Sequence, residues 1–321
     1  MASKRTTGKS RNLSPHNIEQ NPENPRLIFR QDEMDNLMFS IDRHGIQVPL
    51  TVYQDGDVFR LIDGERRWRC ARKLNMSTVP VLVQDKPTEL ENLLLMYNIH
   101  ALREQWDYFT IASKLTRVID LYAREHGYKP NEVQLSEETG LTRGQIRRCR
   151  LLIELPERFK DMLLHELALP KLQQKLSEDL FIEMERSLKT VTNRLPEYVE
   201  RIDDTRDALV SKFRQGLIPA VTDFRQLSKI ATAVDNISLP RAAAVRSLDA
   251  VFDPTSDKGI REAYVQTVEF GYDEKDAIRR LQSLIGFLDR ILEMHRVDTL
   301  DEDFLDHARE LHGKLTRILG S

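Results

Sequence analysis

The stretch LIDGERRWRCARKL, Leu61–Leu74, decides the fold of the first part of the chain. A short apolar run ends in Asp63 and Gly64, and five positive charges follow within the next nine residues. Glycine lacks a Cβ, so Gly64 permits a sharp turn. The pattern predicts a strand, a tight turn and a helix that starts at Glu65 and ends near Leu74. The core face of this helix is predicted to carry Cys70, Ala71 and Leu74.

The start of the predicted helix has the properties of an anion site. A helix N-terminus presents unpaired N–H groups and the positive end of the helix dipole. Arg66 and Arg69 are three residues apart and therefore share a face. A polyphosphate fits two guanidinium groups at such an N-terminus. A solvated basic surface, with arginines paired to Asp63 and Glu65, explains the same residues equally well.

The bulk composition indicates a folded protein of several domains. The 321 residues are enough for two or three domains, and 40% apolar with 31% charged residues argues against a disordered chain. No apolar run approaches the roughly 18 residues of a membrane span, and no apolar stretch follows the basic N-terminus as in a signal peptide. Only Cys70 and Cys149 are present, which excludes a disulfide framework and favours a reducing cytoplasm.

Charge is unevenly distributed along the chain. The formal net charge is −3, but residues 1–160 hold 25 Lys and Arg against 22 Asp and Glu. The remaining residues hold 23 against 29. An anionic partner is therefore expected to meet the first half.

The order of predicted elements gives an α+β fold. Residues 1–18 are basic and without periodicity, so we predict a flexible tail, and the NPENPR segment (21–26) predicts a rigid turn. A helix capped by Gly45 follows, then strands VPLTVY and VFRLI joined by a DGD turn, and a third strand VPVLVQ after the arginine-rich helix. From Glu89 onward helical periodicity dominates, so the small α/β domain is followed by all-α parts.

The stretch LSEETGLTRGQIRRCRLL (135–152) has the spacing of a helix-turn-helix. The residues predicted to pack the two helices together are Leu135, Leu141, Ile146 and Cys149, with Gly140 in the turn. Arg and Gln suit base edges, and Arg suits phosphates. The candidate DNA-binding residues of the second helix are Thr142, Arg143, Gln145, Arg147 and Arg148. An ordinary helical hairpin with a charged outer face is the alternative.

The motifs NPENPR, GIQVPLTV and GERRWRCARKL, followed by a helix-turn-helix, occur in an order and at separations that resemble the ParB family of partition proteins. The resemblance covers roughly residues 18–165. It implies a ParB/sulfiredoxin-like N-terminal domain that binds CTP with Mg²⁺, in a DNA-loaded clamp acting in plasmid or chromosome partition. Sulfiredoxins carry a catalytic cysteine directly after the turn glycine, whereas this chain has Glu65 there, so a thiol-based reductase is not expected.

The resemblance also assigns residues by position. The phosphates would be held by Gly64, Glu65, Arg66, Arg67 and Arg69, with Arg26 supporting them, and the base would lie near Ser40, Gly45, Ile46 and Gln47. In the third family motif Asn98 is retained, as a nucleotide residue and candidate metal ligand, but Tyr97 stands where the family has a carboxylate. A phenol is a poor ligand for Mg²⁺. CTP binding with at most a weak CTPase activity is therefore the expectation.

The expected organisation has four parts. They are a flexible tail (1–18), a ParB-like nucleotide-binding domain (19–100), a helix-turn-helix domain (101–168) and a helical C-terminal region (169–321). In the last part, two amphipathic segments predict an antiparallel hairpin whose seam is either core or a dimer contact. Its predicted seam residues are Leu281, Leu284, Leu288, Ile291, His295, Phe304, Ala308, Leu311, Leu315 and Ile318.

The resemblance finally implies partners. They are double-stranded DNA with an inverted repeat, a second copy of the chain, and a ParA-like ATPase contacted through the tail, in the cytoplasm on the nucleoid or a plasmid. One alternative function is a transcriptional regulator or accessory DNA-binding factor whose nucleotide pocket does not cycle. The other is a ParB-fold nucleotide-dependent phosphotransferase or nuclease.

Overall fold

The computed structural model describes residues 9–24, 28–100 and 107–320, with side chains except at 98–100. A small domain built on a mixed sheet is followed by a long helical region, which confirms the α+β fold. Arg26 and the side chain of Asn98 lie outside the described residues.

The sheet has five described strands in the order β1-β5-β3-β4-β2. Their bounds are Lys9–Leu13 (β1), Ile18–Glu19 (β2), Leu50–Asp55 (β3), Val58–Asp63 (β4) and Val79–Gln84 (β5). Strands β3 and β4 form the predicted antiparallel hairpin, and β5 pairs parallel to β3. Strand β1 runs antiparallel to β5, and β2 pairs parallel to β4.

Residues 9–13 form strand β1 and residues 15–17 form a short 3₁₀ helix, so the predicted flexible tail is wrong for residues 9–18. Strand β1 pairs with β5 from Lys9 opposite Val83 to Leu13 opposite Val79. The Nε1 of Trp68 then donates to the carbonyl of Pro15 at 2.9 Å. Because β1 is an edge strand with mostly exposed side chains, its sequence carries no apolar alternation.

Two helices cover the sheet domain and place the candidate site. Helix α1 spans Gln31–His44 and ends at Gly45 with φ 69°, as predicted. Helix α2 spans Glu65–Lys73 and follows Gly64, whose φ is 99°. Cys70 is buried against Met34 and Ile41, and burial raises the pKa of its thiol.

The remaining chain is helical. The next helices are α3 (Glu89–His100), α4 (Tyr108–His126), α5 (Glu132–Thr139), α6 (Arg143–Ile153), α7 (Glu157–Ala168), α8 (Glu178–Arg194), α9 (Ile202–Arg214), α10 (Phe224–Asn236), α11 (Arg241–Phe252) and α12 (Ile260–Tyr264). One continuous apolar core runs from α3 through α12 to Val268. Leu163 and Leu180 share this core although they lie on either side of the predicted boundary at residue 168.

The chain ends in the predicted helical hairpin, formed by α13 (Phe270–Glu293) and α14 (Glu302–Leu319). The rings of Phe287 and Phe304 meet across it with centroids 5.6 Å apart. Neither helix has a buried residue, so the predicted seam is only half-buried, and His295 and Ile318 are exposed. Among the described residues, no helix has both the length and the apolar character needed to cross a membrane.

The turn before α2 gives the first prediction. A Cβ at Gly64 would lie 2.5 Å from Cδ2 of Leu50, at a φ that L residues rarely adopt. Gly64→Ala is therefore expected to lower the free energy of unfolding by about 2–4 kcal/mol in urea denaturation.

Gly56 is the matched control, because its φ is +64° and nothing lies within 4 Å of its added Cβ. Gly56→Ala should cost only about 1 kcal/mol, from backbone strain alone. Equal losses in the two variants would show that Leu50 does not constrain the turn.

Candidate functional site

A cleft of about 940 Å³ lies between the sheet domain and the helical region. Its near wall comes from α1, from the segment 45–48 and from the start of α2, and its far wall comes from residues 107–108 and 167–179. The cleft thus joins segments of the chain that are far apart in the sequence.

The near wall is organised around the N-terminus of α2. Arg67 donates to the carbonyls of Val48 and Pro49, the latter at 3.0 Å, and pairs with Asp63 at 3.1 Å. Arg66 donates to the carbonyl of Glu33 at 3.1 Å. Both arginines line the cleft and are half-buried. These contacts hold two guanidinium groups beside the amides of the first helical turn, as an anion site requires.

Glu65 and Arg69 pair with each other at the start of α2. The buried carboxylate of Glu65 accepts from Nε of Arg69 at 2.8 Å and from the side chain of Asn24. The guanidinium of Arg69 lies over the ring of Phe29 at 3.9 Å, and Arg69 does not line the cleft. Arg69 therefore neutralises a buried carboxylate, whereas Arg66 and Arg67, also predicted to hold the phosphates, line the cleft.

The motif NPENPR contributes to this scaffold through its asparagines. Nδ2 of buried Asn21 donates to the carbonyl of Leu61 at 2.8 Å and to Oδ1 of Asn92 at 3.1 Å. Asn24 donates to Glu65. The motif thus ties the end of β4 and the start of α2 to helix α3.

The residues expected near a base all lie at the cleft. The cleft is lined by all four of them, Ser40, Gly45, Ile46 and Gln47. Gln47 donates from its side chain to the carbonyl of His44, which fixes the segment after α1.

The far wall was missed by sequence reasoning. Its polar residues are Asp107, Tyr108, Lys171, Gln174, Ser177, Glu178 and Asp179. Nε of Arg30 donates to the carbonyl of Leu167 at 3.3 Å and so ties the start of α1 to the end of α7. No local motif marks these residues, because only the tertiary packing of α7 and α8 brings them to the cleft.

Glu178 is the most perturbed carboxyl at the cleft. It accepts from the backbone N–H of Phe109 and so caps the start of α4. Burial, together with the negative charge of Asp107, raises its pKa to about 7.

Tyr97 does not occupy a metal-binding position. Its side chain is buried in the helical core, and its hydroxyl donates to the carbonyl of Ile111 at 2.5 Å. Burial raises the pKa of this phenol well above its ordinary value. Among the described residues, no group of three or more His, Cys, Asp or Glu side chains could hold a metal ion.

Helices α5 and α6 pack as predicted. Leu135, Leu141, Ile146 and Cys149 are all buried, and Gly140 has φ 74° in the turn. Thr142 caps α6, and its N–H donates to Oε1 of Gln145 at 2.8 Å, while the N–H of Gln145 donates back to Oγ1 of Thr142 at 3.2 Å. These two candidate DNA-binding side chains are thus engaged in a capping box.

The arginines of α6 form two groups that contact different partners. Arg143, Arg147 and Arg150 follow spacings of four and three residues and meet Glu132 of α5. Arg150 was missed, although this spacing could have indicated it. Arg148 instead pairs with Asp179 and lies over the ring of Tyr108 at 4.6 Å, so the predicted outward exposure of Arg148 is wrong.

Comparison with known proteins identifies the N-terminal domain. Residues 1–99 match the family model described as the ParB N-terminal domain. The first 99 residues thus carry a ParB N-terminal domain. The ParB motifs quoted above thus coincide with the near wall of the cleft.

Two relatives illustrate the extent of the similarity. The chromosome-partitioning protein ParB of Myxococcus xanthus (strain DK1622) is 29% identical over 150 residues, which are 47% of this chain and 48% of that protein. The nucleoid occlusion protein of Bacillus cereus (strain B4264) is 26% identical over 230 residues, 67% of this chain and 76% of that protein. The chain thus spans about half the length of the Myxococcus ParB.

Solved structures of C-terminally truncated ParB from Caulobacter crescentus are also similar. The complex with CTP-γ-S has a TM-score of 0.29 at 20% identity and covers 56% of this chain and 93% of that one. The complex with the centromeric parS site has a TM-score of 0.40 at 17% identity, and it covers 69% of this chain and 98% of that one.

The raised pKa of Glu178 predicts a pH dependence. Its value of about 7 in the folded protein lies above the ordinary 4.5. Between these pH values the folded protein holds a proton that the unfolded chain releases, so this carboxyl lowers stability as the pH rises from about 4.5 to 7. Relative to Glu178→Gln, the free energy of unfolding of the wild type should fall by on the order of 2 kcal/mol over that range.

Urea denaturation at several pH values measures this difference. Glu200→Gln, at an exposed position, is the control for loss of one carboxylate. A difference between wild type and Glu178→Gln that stays constant with pH would contradict a raised pKa for Glu178.

Proposed function

We propose that this protein is a CTP-binding, DNA-binding member of the ParB family that acts in plasmid or chromosome partition. The observation that carries the proposal is the cleft in which Arg66 and Arg67 flank the N-terminus of α2. The arginine face of α6 supports the DNA-binding part.

The charges of the cleft orient a nucleotide within it. The basic N-terminus of α2 attracts a triphosphate, whereas the carboxylates of Asp107 and Asp179 on the far wall repel one. The triphosphate therefore lies against Gly64, Arg66 and Arg67. The segment Ser40–Gln47 is then free to contact the base, and the acidic wall can accept hydrogen bonds from the ribose hydroxyls. A bound nucleotide would contact both the sheet domain and the helical region.

The DNA-binding part of the proposal rests on α6. Arg143, Arg147 and Arg150 form one face of a helix that follows a short turn, and their guanidinium groups suit both phosphates and guanine edges. Two copies of the chain would place two such helices on an inverted repeat. The apolar residues exposed on the α13–α14 hairpin, including Ile285, Leu292 and Ile318, are available to such a dimer.

A nucleoid occlusion or regulatory role is the second candidate. The similarity to the Bacillus cereus protein extends over 230 residues and so reaches into the helical region. Both candidates bind DNA, and they differ in whether the protein requires a partner ATPase. Co-purification of a ParA-like ATPase that depends on residues 1–18 would favour partition.

The cleft predicts a nucleotide-binding phenotype. Arg66→Ala and Arg67→Ala each remove a charge-assisted phosphate contact, which should cost about 1.5–3 kcal/mol of CTP binding in isothermal titration calorimetry. CTP should bind more tightly than ATP or GTP. Arg72→Ala is the control, since Arg72 lies on the same helix over Trp68 and outside the cleft. Equal affinity for all nucleotides, or equal effects of all three variants on CTP affinity, would contradict the proposed site.

The α6 face predicts a DNA-binding phenotype. DNA duplexes enriched by the protein from a random library would be titrated at several salt concentrations. Arg147→Ala should cost about 1–3 kcal/mol on the enriched duplex if Arg147 contacts a base. A phosphate contact would instead weaken all duplexes and reduce the salt slope by about one.

Arg158→Ala is the matched control for this measurement. Arg158 is half-exposed on α7 and pairs with Asp207 of α9. If replacing Arg143, Arg147 and Arg150 together left DNA binding intact in a folded protein, α6 would not be the reading helix.

A further inference from the structure

We propose that Glu132 is a specificity-determining residue that positions the arginine face of α6 and opposes non-specific DNA binding. This inference rests on the proposed DNA-binding function. It goes beyond that function because it assigns an acidic residue outside α6 to the control of recognition.

The geometry places one carboxylate among three arginines. Oε2 of Glu132 lies 3.1 Å from Nε of Arg147 and 3.6 Å from Nε of Arg143. Oε1 lies 3.4 Å from Nη1 of Arg150. The two oxygens thus contact guanidinium groups that span two helical turns of α6. An ordinary surface ion pair engages one partner. The Glu132 carboxylate contacts three arginines and so fixes the positions of their guanidinium groups along α6.

Glu132 is held in its charged form. Burial raises its pKa, but the hydrogen bond from Arg147 and the charges of Arg150 and Arg143 outweigh that effect, so the net shift is downward. The carboxylate is therefore ionised at neutral pH. Its side chain is 22% exposed, whereas those of Arg143 and Arg147 are 58% and 61% exposed. The glutamate lies beneath the arginines and leaves their outer sides accessible.

This arrangement has two consequences for DNA. Non-specific binding comes almost entirely from cation–phosphate contacts, and a carboxylate within 4 Å of three arginines weakens their attraction for any phosphate. Base recognition instead needs guanidinium groups in a defined orientation. By fixing that orientation before binding, Glu132 reduces the conformational entropy lost in specific recognition. The residue therefore lowers affinity for arbitrary DNA more than affinity for the correct site.

The same helix offers a matched control. Glu137 also lies on α5, is exposed, and makes no ion pair within the part of the chain that the structure describes. Glu132→Gln and Glu137→Gln change the net charge equally and retain similar side-chain size. Any difference between them reports contact with the α6 arginines and not net charge.

The experiment measures anisotropy of an enriched duplex and of a scrambled duplex of equal length, over a series of salt concentrations, with the full chain. Glu132→Gln should raise affinity for the scrambled duplex by about tenfold, lower the ratio of specific to scrambled affinity, and steepen the salt slope by about one. Glu137→Gln should change each quantity by less than about twofold. Equal behaviour of the two variants would overturn the inference. A wild-type protein that binds no duplex would overturn the proposed function as well.

A second variant separates positioning from charge. Glu132→Asp keeps the negative charge at the start of α5 but shortens the reach to Arg143, Arg147 and Arg150. It should retain the wild-type salt slope and lose part of the specificity ratio. An unchanged specificity ratio in this variant would overturn the positioning role, and thermal unfolding checks that the variants remain folded.

Discussion

The turn at Gly64 is the constraint on which the candidate site depends. A left-handed φ and the contact with Leu50 leave no room for a side chain, so β4 must pass directly into α2. That transition aims the first turn of α2 at the cleft and buries Glu65 at its base. Buried carboxylates need partners, and Arg69 and Asn24 supply them. One backbone conformation therefore determines which arginines support the scaffold and which line the cleft.

The helical region completes the site. Residues of α8 line the cleft, and Asp179 among them also pairs with Arg148 of α6. Glu178 caps α4, which packs on α6 through Cys149. The far wall of the cleft is thus connected to α6 through α4 and α8. Their shared apolar core explains why the helical region does not separate into two independently packed parts at residue 168.

The sequence patterns predicted the structural features that depend on residues close together in the chain. The turn glycines at 45, 64 and 140, the strands of the hairpin and the packing of Ile146 against Leu135 follow from periodicity and turn chemistry. The edge strand β1 was missed because its side chains are exposed. The spacing of Arg66 and Arg69 predicted a common face but could not show that Glu65 and Phe29 engage Arg69. The far wall depends on contacts between segments distant in the sequence, such as that of Arg30 with Leu167, which no motif encodes.

Hydrogen exchange with and without CTP tests most directly whether one nucleotide joins the two walls. The predicted result is slower amide exchange in three segments, namely the first turn of α2, residues 40–48 at the end of α1, and residues 171–179 of the far wall. Protection should be absent when Arg66 and Arg67 are both replaced by Ala. Protection confined to the sheet domain, with residues 171–179 unchanged, would contradict a site shared with the helical region. No protection in any of these segments would contradict the nucleotide site itself.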